Sequence, residues 1–352
     1  MKVLKAEGIM NVYDFARIYG SVIDYLAISQ LKAISLRKDF KYVIGFPDLH
    51  AGADNPVGYV MKTGNTLYFD LIGADIGCTV SAQKLALRYS DGSLHPAILG
   101  KNIFKGEIRD MAGFASTWFT NTSNIPSIGG GNHFLEFAVD DNNNVWLVVH
   151  SGSRGTGGDT FKAIRDELKS LKLFGVPVST FLGRALMDAF NAALNMAAYN
   201  IDCITTAVLR EGFPNTTVSV VVTENIKTVH NTIVPRNDGV YHYKGASQVD
   251  RDNMKVVIPM NMRDGTLIAE VLHAKELFYG LNHGAGRLMS RSEAKSKLTM
   301  DSLDGINVLS NGDVLDEAPD AYKNVTSDME WMEQAGLIKL HGVLKPIITV
   351  KQ

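Results

Sequence analysis

The chain has 352 residues, 45% of them hydrophobic, which is enough for a full-sized core in one large domain or two. Its two cysteines exclude a disulfide framework and favour a reducing, cytosolic environment. A net charge of −2 argues against a broad basic face for nucleic acid, but not against a local basic groove or a bound metal. No stretch approaches the ~20 apolar residues of a membrane span, and the N-terminal residues predict no signal peptide.

The first part of the chain predicts one helix followed by short strands. Apolar residues at helical spacing follow Ser21 and predict a helix over 22–36. Short apolar runs bounded by turn residues predict strands over 42–46, 57–61 and 66–72. The polar run 140–144 predicts the turn of a hairpin between strands 134–139 and 145–149.

The remaining elements also come in blocks. Thr160 is the predicted cap of a helix that ends at Leu171, and a longer helix is predicted over 181–209. Strands are predicted over 217–223, 255–258 and 266–272, and a short helix begins at Ser292. A last strand over 343–350 contains Pro346, which predicts an edge position because proline donates no ladder hydrogen bond. Blocks rather than strict alternation predict an α+β fold with central β-sheets flanked by helices.

Several histidines stand beside glycines, amides or small polar residues at predicted turns, where a core rarely places an imidazole. They are His50, His133, His150, His230 and His283, with His242 the least distinctive. Asp75 and Cys78 are three residues apart with a glycine between them, so both side chains can point into one site across a tight turn. Imidazole, thiolate and carboxylate hold transition metals, and one thiolate can bridge two ions, so we expect one assembled metal site. Taken alone, Asp75 and Cys78 are better explained as a turn-forming carboxylate and a small buried cysteine, and a single histidine is also explained as a turn or core residue with a satisfied hydrogen bond.

Other features indicate phosphate chemistry. Three consecutive glycines, 129–131, can expose N–H groups to an anion, and Arg154 follows a strand end where it can meet phosphate. His283 is flanked by glycines and followed by basic residues, the surroundings that a histidine nucleophile needs to attack phosphorus. A solvated helix start with ordinary surface charge is the alternative explanation for that basic segment. The chain has no P-loop motif, so a nucleotide would bind without one.

In combination and in order, these motifs resemble the RtcB family of RNA ligases. Each motif is weak alone, but together they are highly specific. They are Pro47-Asp48-Leu49-His50, Asp75-Ile76-Gly77-Cys78, Gly129-Gly130-Gly131-Asn132-His133-Phe134, His150-Ser151-Gly152-Ser153-Arg154, His230-Asn231, Lys244-Gly245-Ala246, His283-Gly284-Ala285-Gly286-Arg287-Leu288-Met289-Ser290-Arg291 and Asp316-Glu317-Ala318-Pro319-Asp320-Ala321-Tyr322-Lys323. Because these residues are spread over most of the chain, we expect a single domain over 1–352.

The resemblance implies a ligase that uses GTP and two Mn²⁺ ions to join an RNA 3′-phosphate or 2′,3′-cyclic phosphate to a 5′-hydroxyl, in RNA repair or tRNA splicing. It implies that one ion takes Asp75, Cys78 and His133 and the other Cys78, His150 and His230, with His283 as the nucleophile that carries GMP. Glu136 would accept the hydrogen bonds of guanine, and Tyr322 would stack on the base. The implied GTP and GMP contacts are Asn132, His133, Phe134, Glu136, His230, Asn231, Pro259, Asn261, Met262, Thr266, His283, Gly284, Ala285, Gly286, Tyr322 and Lys351. The implied RNA contacts are Arg154, Lys244, Arg287 and Arg291.

This sequence departs from the family's pattern in three ways. Pro259-Met260-Asn261-Met262 stands where the family has Pro-Gly-Ser-Met, a basic residue is replaced around 54–55, and the chain is somewhat short. Two alternatives therefore accompany the ligase prediction: a metal-dependent phosphoesterase that acts on RNA ends without guanylylation, and a non-catalytic RNA-end-binding protein. The expected location is the cytoplasm, and the sequence leaves open an activating partner similar to archease.

Overall fold

The computed structural model describes residues 5–90, 93–96, 107–120, 124–214 and 221–352. The strands in these residues are β1 (Lys5–Glu7), β2 (Met10–Val12), β3 (Ala16–Tyr19), β4 (Phe40–His50), β5 (Val57–Thr63), β6 (Thr66–Leu67), β7 (Thr79–Ser90), β8 (Ser93–Pro96), β9 (Phe134–Val139), β10 (Asn144–Ser151), β11 (Val176–Pro177), β12 (Val222–Val229), β13 (Asn231–Arg236), β14 (Gly239–Lys244), β15 (Ala246–Gln248), β16 (Met254–Asn261), β17 (Gly265–Val271), β18 (Gly280–Asn282), β19 (Val308–Ser310) and β20 (Ile338–Lys351). The helices are α1 (Tyr25–Ile34), α2 (Ile108–Phe119), α3 (Gly155–Ser170), α4 (Phe181–Gly212), α5 (Arg291–Lys297) and α6 (Thr326–Gln334).

Two large sheets form the centre of the fold. One has the strand order β1-β2-β3-β4-β5-β14-β13, and the other has β12-β7-β10-β9-β20-β17-β16 with β8 and β19 pairing at its sides. Most neighbouring strands are antiparallel, whereas β3–β4 and β19–β20 are parallel. Helices α2 and α4 pack their apolar faces on the second sheet, which confirms the predicted α+β class.

The second sheet is buried on both faces. Successive side chains of a strand point to opposite faces, and this alternation determines on which face each polar side chain lies. In β10, Leu147 and Val149 face the core formed with α2 and α4, whereas Trp146 and Val148 face a second core. His150 has the same parity as Trp146 and Val148 and therefore lies on their face. By the same alternation Cys78 before β7, Glu136 in β9 and His230 after β12 have the parity of residues in that second core. Four neighbouring strands thus bring polar side chains to one face of one sheet, three of them at or beside a strand end.

The predicted helices exist, but several of their starts differ. Helix α1 begins after Asp24, whose Oδ1 accepts from the main-chain N–H of Leu26 and Ala27, so Ser21 is not its cap. Helix α3 begins five residues before the predicted cap Thr160, because Arg154 adopts a φ of 56° and turns the chain into the helix. Helix α4 covers the predicted range, capped by Thr180, and α5 begins after the cap Ser290.

The predicted strands agree with the structure in some places and differ from it in others. The hairpin of β9 and β10 is confirmed. The predicted strand over 66–72 was wrong after Leu67, because β6 ends there and Phe69–Leu71 form a 3₁₀ turn. Of the prediction over 217–223, residues 217–220 lie outside the described residues, and β12 begins at Val222.

The edge position predicted for the last strand was also wrong. Strand β20 pairs with both β9 and β17. The register shifts between Pro346 and Ile348, and a bulge of this kind is where an interior strand tolerates proline. No helix in the described ranges combines the length and the hydropathy needed to cross a bilayer.

Candidate active site

A buried group of side chains that could hold a metal ion lies at the strand ends of the second sheet. Cys78 Sγ is 3.2 Å from His133 Nε2 and 3.2 Å from His150 Nε2. The three residues are all buried, and their ligand atoms lie within 4.8 Å of one another. Residues separated by 72 positions in the chain therefore meet at one sulfur atom.

Two further residues extend this group on either side. His133 Nε2 lies 3.1 Å from Asp75 Oδ2, and His150 Nε2 lies 3.2 Å from His230 Nε2. The structure thus brings together the five residues predicted as metal ligands, with Cys78 between two halves. One half is Asp75 and His133, and the other is His150 and His230.

Burial sets the protonation of these groups. It raises the pKa of the Cys78 thiol well above its ordinary value, and Asp75 adds to this effect. Burial lowers the pKa of His150 and of His230 well below the ordinary value, and the neighbouring imidazoles lower both further. For Asp75 burial acts in the opposite direction to His133, and the net result is a lowered pKa. Neutral imidazoles, a carboxylate and a sulfur that a cation would deprotonate form a donor set that fits Mn, Fe, Co or Zn.

His283 lies beside this group. Its ring centroid is 4.6 Å from that of His230. Its Nδ1 is 2.7 Å from Asp48 Oδ2, and its main-chain N–H donates to the same oxygen at 3.1 Å. Asp48 is fully buried, and because a carboxylate oxygen only accepts, Nδ1 is the donor of this hydrogen bond. In the neutral ring the lone pair therefore lies on Nε2.

Sequence reasoning did not assign Asp48 a role. The motif 47–50 was recognised, but the contact of Asp48 with His283 was not predicted, because the two residues are 235 positions apart in the chain. The signal in the sequence was a carboxylate inside the apolar strand β4, a costly place for a charge without a partner.

A cavity of about 330 Å³ adjoins both features. Every predicted GTP or GMP contact except His133 lines it, and so do three of the predicted RNA contacts. Those three are Lys244, Arg287 and Arg291, whereas Arg154 lies outside the lining.

Glu136 offers this cavity an acceptor. The residue is 3% exposed, and burial raises the pKa of its carboxyl to about 8. Its Oε2 accepts from Thr349 Oγ1 at 2.8 Å, whereas no donor in the described part of the chain reaches Oε1. A buried acceptor without a partner favours a ligand that donates hydrogen bonds.

Glu317 organises another part of the lining and was missed at the sequence level. Its Oε1 accepts from Arg287 Nη1 at 3.1 Å, and its Oε2 accepts from the Tyr322 hydroxyl. Lys351 Nζ lies 3.7 Å from the same Oε2, and Arg291 Nη2 lies 3.4 Å from Oε1. One carboxylate, 4% exposed, therefore joins residues from three separate segments.

The predicted RNA-contacting cations differ in their hydrogen bonds within the protein and in their exposure. Arg287 donates within the protein to Glu317, to the Tyr322 hydroxyl and to two main-chain carbonyls. Lys244 Nζ donates to the Ile72 carbonyl at 2.7 Å. The side chain of Arg291 is 49% exposed.

The glycines 129–131 make room for arginines. A Cβ at Gly129 would meet the guanidinium of Arg154, and one at Gly131 would meet that of Arg291. Both glycines also have positive φ, which L-residues rarely adopt. The phosphate concavity predicted for this segment stays a prediction.

The loop that departs from the family's pattern is internally bonded. Asn261 Oδ1 accepts from the main-chain N–H of Arg263 at 2.9 Å and of Asp264 at 2.8 Å. Met260 and Met262 are buried and line the cavity. Asn261 thus holds its own turn, and the methionines give this part of the lining an apolar surface.

A family model described as tRNA-splicing ligase RtcB matches residues 119–352, about two thirds of the chain. The chain belongs to the RtcB family. Similar proteins include RNA-splicing ligase RtcB2 from one Escherichia coli strain, 27% identical over 94% of this chain and 93% of the relative. RNA-splicing ligase RtcB from Escherichia coli K12 is 26% identical over 89% of this chain and 90% of its own. The tRNA-splicing ligase RtcB of Pyrococcus abyssi is 29% identical over 64% of this chain and 31% of its own.

The matched RtcB segment contains His133, His150, His230 and His283. It begins after Asp48, Asp75 and Cys78, which β4 and the turn before β7 bring to the same site. The part of the chain before the RtcB match therefore contributes to the site through its contacts.

Proposed function

We propose that this chain is an RNA ligase that joins an RNA 3′-phosphate or 2′,3′-cyclic phosphate to a 5′-hydroxyl, using GTP, in RNA repair or tRNA splicing. The names of its RtcB relatives support RNA ligation, and the finer chemistry rests on the geometry around His283 and on the resemblance of the motifs. The observation that carries the proposal is a histidine held through Nδ1 by Asp48, with its ring 4.6 Å from that of a predicted metal ligand.

The contact with Asp48 selects the tautomer of His283 that a nucleophile requires. With Nδ1 donating to Asp48, the lone pair of Nε2 is available to attack the α-phosphorus of GTP. A nitrogen–phosphorus bond forms as the bond to pyrophosphate breaks. An oxygen of the RNA 3′-phosphate then takes the guanylate from His283. Finally the RNA 5′-hydroxyl attacks the activated 3′-phosphate, and GMP leaves.

Two Mn²⁺ ions are part of the proposal. Asp75, Cys78 and His133 would hold one, and Cys78, His150 and His230 would hold the other, because the ligand atoms meet around Cys78. When bound, such ions offset the charge of phosphate oxygens and polarise phosphorus. Archease-like activation, a cytoplasmic location and a single domain over 1–352 stay predictions.

The remaining lining residues would hold the nucleotide and the RNA. Glu136 would accept from N1–H and the exocyclic amine of guanine through Oε1, which lacks a partner within the described residues. Tyr322 would stack on the base, and Lys351 would contact GMP. Arg154, Lys244, Arg287 and Arg291 would meet RNA phosphates, Arg287 after some of its internal hydrogen bonds are exchanged.

Incubation with GTP labelled at the α-phosphate and with Mn²⁺ tests this function. We expect a covalent protein adduct that His283→Ala abolishes, followed by joining of RNA ends. Phosphate release from RNA ends without an adduct would favour the phosphoesterase instead. Binding of RNA ends with neither activity would favour the non-catalytic protein. An adduct of full intensity in His283→Ala would show that another residue is the nucleophile.

A further inference from the structure

A second imidazole is held by the same aspartate that holds the proposed nucleophile. His50 ends β4 and lines the cavity together with His283. Its Nδ1 lies 2.7 Å from the main-chain carbonyl oxygen of Asp48, while the side chain of Asp48 holds His283. A displacement of Asp48 would therefore affect both imidazoles.

This contact decides the tautomer of His50. A carbonyl oxygen only accepts, so Nδ1 must carry a proton and donate it. In the neutral ring Nε2 then carries the lone pair, and no hydrogen-bonding partner for Nε2 occurs among the residues described. Burial lowers the pKa of His50, and the charges that act on it come from Asp48, His283 and Lys323. Near neutral pH the ring is therefore a free base with its acceptor nitrogen uncommitted.

The other acidic and imidazole side chains of the cavity already have roles. Glu317 is engaged by Arg287, Tyr322 and Lys351. Asp75, His150 and His230 are proposed metal ligands. Glu136 is the proposed guanine acceptor, and His283 is the proposed nucleophile. Among the acidic and imidazole side chains of the described lining, His50 is therefore the one without another role, and ligation requires one proton transfer.

We propose that His50 is the general base of the joining step. Its Nε2 takes the proton of the RNA 5′-hydroxyl while that oxygen bonds to the phosphorus of the 3′-phosphate and the phosphorus–oxygen bond to GMP breaks. The proton afterwards passes to solvent. This inference rests on the proposed function, because it assigns a residue to one step of that reaction.

His50→Asn separates the two nitrogens of the ring. The asparagine amide nitrogen can replace Nδ1 as the donor to the Asp48 carbonyl, whereas nothing replaces the lone pair of Nε2. His341→Gln is the matched control, because His341 pairs with Glu270 at 2.7 Å and does not line the cavity.

Three reactions are measured separately with Mn²⁺: adduct formation from labelled GTP, transfer of GMP to an RNA 3′-phosphate, and joining of RNA that already carries a 3′-guanylate. We expect His50→Asn to keep the first two near the wild-type rate and to slow the third on the order of 10²–10⁴-fold. The wild-type joining rate should rise with pH and level off once His50 is neutral, whereas the variant should lose this plateau. Added imidazole should partly restore joining in His50→Ala.

Two results would overturn the inference and leave the proposed function intact. One is wild-type joining by His50→Asn at every pH. The other is an equal loss in all three reactions, which would mean that His50 only positions Asp48. Absence of both adduct and joining in the wild-type protein would instead refute the proposed function.

Discussion

One wall of the cavity is formed by residues of β9 and β10, the end of β12 and the turn before β7, and we call it the strand-borne wall. The other is formed by the segments around 283–291 and 316–323 with the end of β20. On the strand-borne wall, polar atoms are buried without partners in the described structure, including Glu136 Oε1 and His230 Nδ1. On the other wall, Glu317 binds Arg287, Tyr322 and Lys351. The comparison indicates that the first wall is completed by what it binds, whereas the second is largely complete by itself.

Removing the shared sulfur should produce the largest effect on the strand-borne wall. Because Cys78 lies within 3.2 Å of both His133 and His150, we expect Cys78→Ala to lose both ions and all joining activity. His230→Ala should weaken mainly one ion, since His230 contacts only the His150 half. Metal analysis of the purified proteins measures the difference. Retention of two ions by Cys78→Ala would exclude a bridging thiolate.

A substitution in the second wall, which Glu317 holds together, should lower stability and nucleotide affinity rather than metal content. Glu317→Gln removes the charge that Arg287 and Lys351 share while keeping the shape of the side chain. Because Glu317 and Lys351 are buried and Arg287 is partly buried, we expect a loss of about 3 kcal/mol in the free energy of unfolding. We also expect a KM for GTP that rises more than kcat falls, since Tyr322 and Lys351 lose their anchor.

Denaturant unfolding and steady-state kinetics at varied GTP measure both effects, with metal content as the control. Glu293→Gln offers a matched comparison, because Glu293 pairs with Lys297 on the exposed helix α5. It should change stability little. Loss of metal in Glu317→Gln would contradict the separation of the two walls.

The same comparison explains what could be predicted from the sequence. Turn residues beside Cys78, His150 and His230 are local signals, and together with the residue types they predicted one assembled metal site. The partners Asp48–His283 and Glu317–Lys351 are 235 and 34 positions apart, and no local pattern encodes such a contact.

The two clearest errors in the fold have a similar origin. Pro346 was taken as a sign of an edge, whereas a bulge in the pairing with β9 accommodates it inside the sheet. The start of α3 was missed because Arg154 adopts a left-handed φ that its residue type rarely shows. Both depend on backbone geometry that neighbouring elements impose.

A last expected effect concerns the unpartnered acceptor of the strand-borne wall, and it appears only as the pH is varied. Burial raises the pKa of Glu136 to about 8 from an ordinary value of 4.5, so the group favours folding while protonated. This contribution is complete below pH 4.5 and is lost as the pH rises through about 8. Relative to wild type, Glu136→Gln should therefore gain stability, up to a few kcal/mol, as the pH rises through that window.

Guanine recognition provides the second measurement on Glu136. The two N–H groups of guanine favour the charged carboxylate of Glu136, which only accepts. A glutamine amide presents a donor as well as an acceptor, so selectivity for GTP over ATP should fall roughly 10- to 100-fold. Adduct formation with each labelled nucleotide, and unfolding at pH 5 and pH 8.5, test the two expectations. If selectivity is unchanged while the pH dependence disappears, Glu136 is a buried acid of the sheet, and guanine is recognised by another group of the cavity.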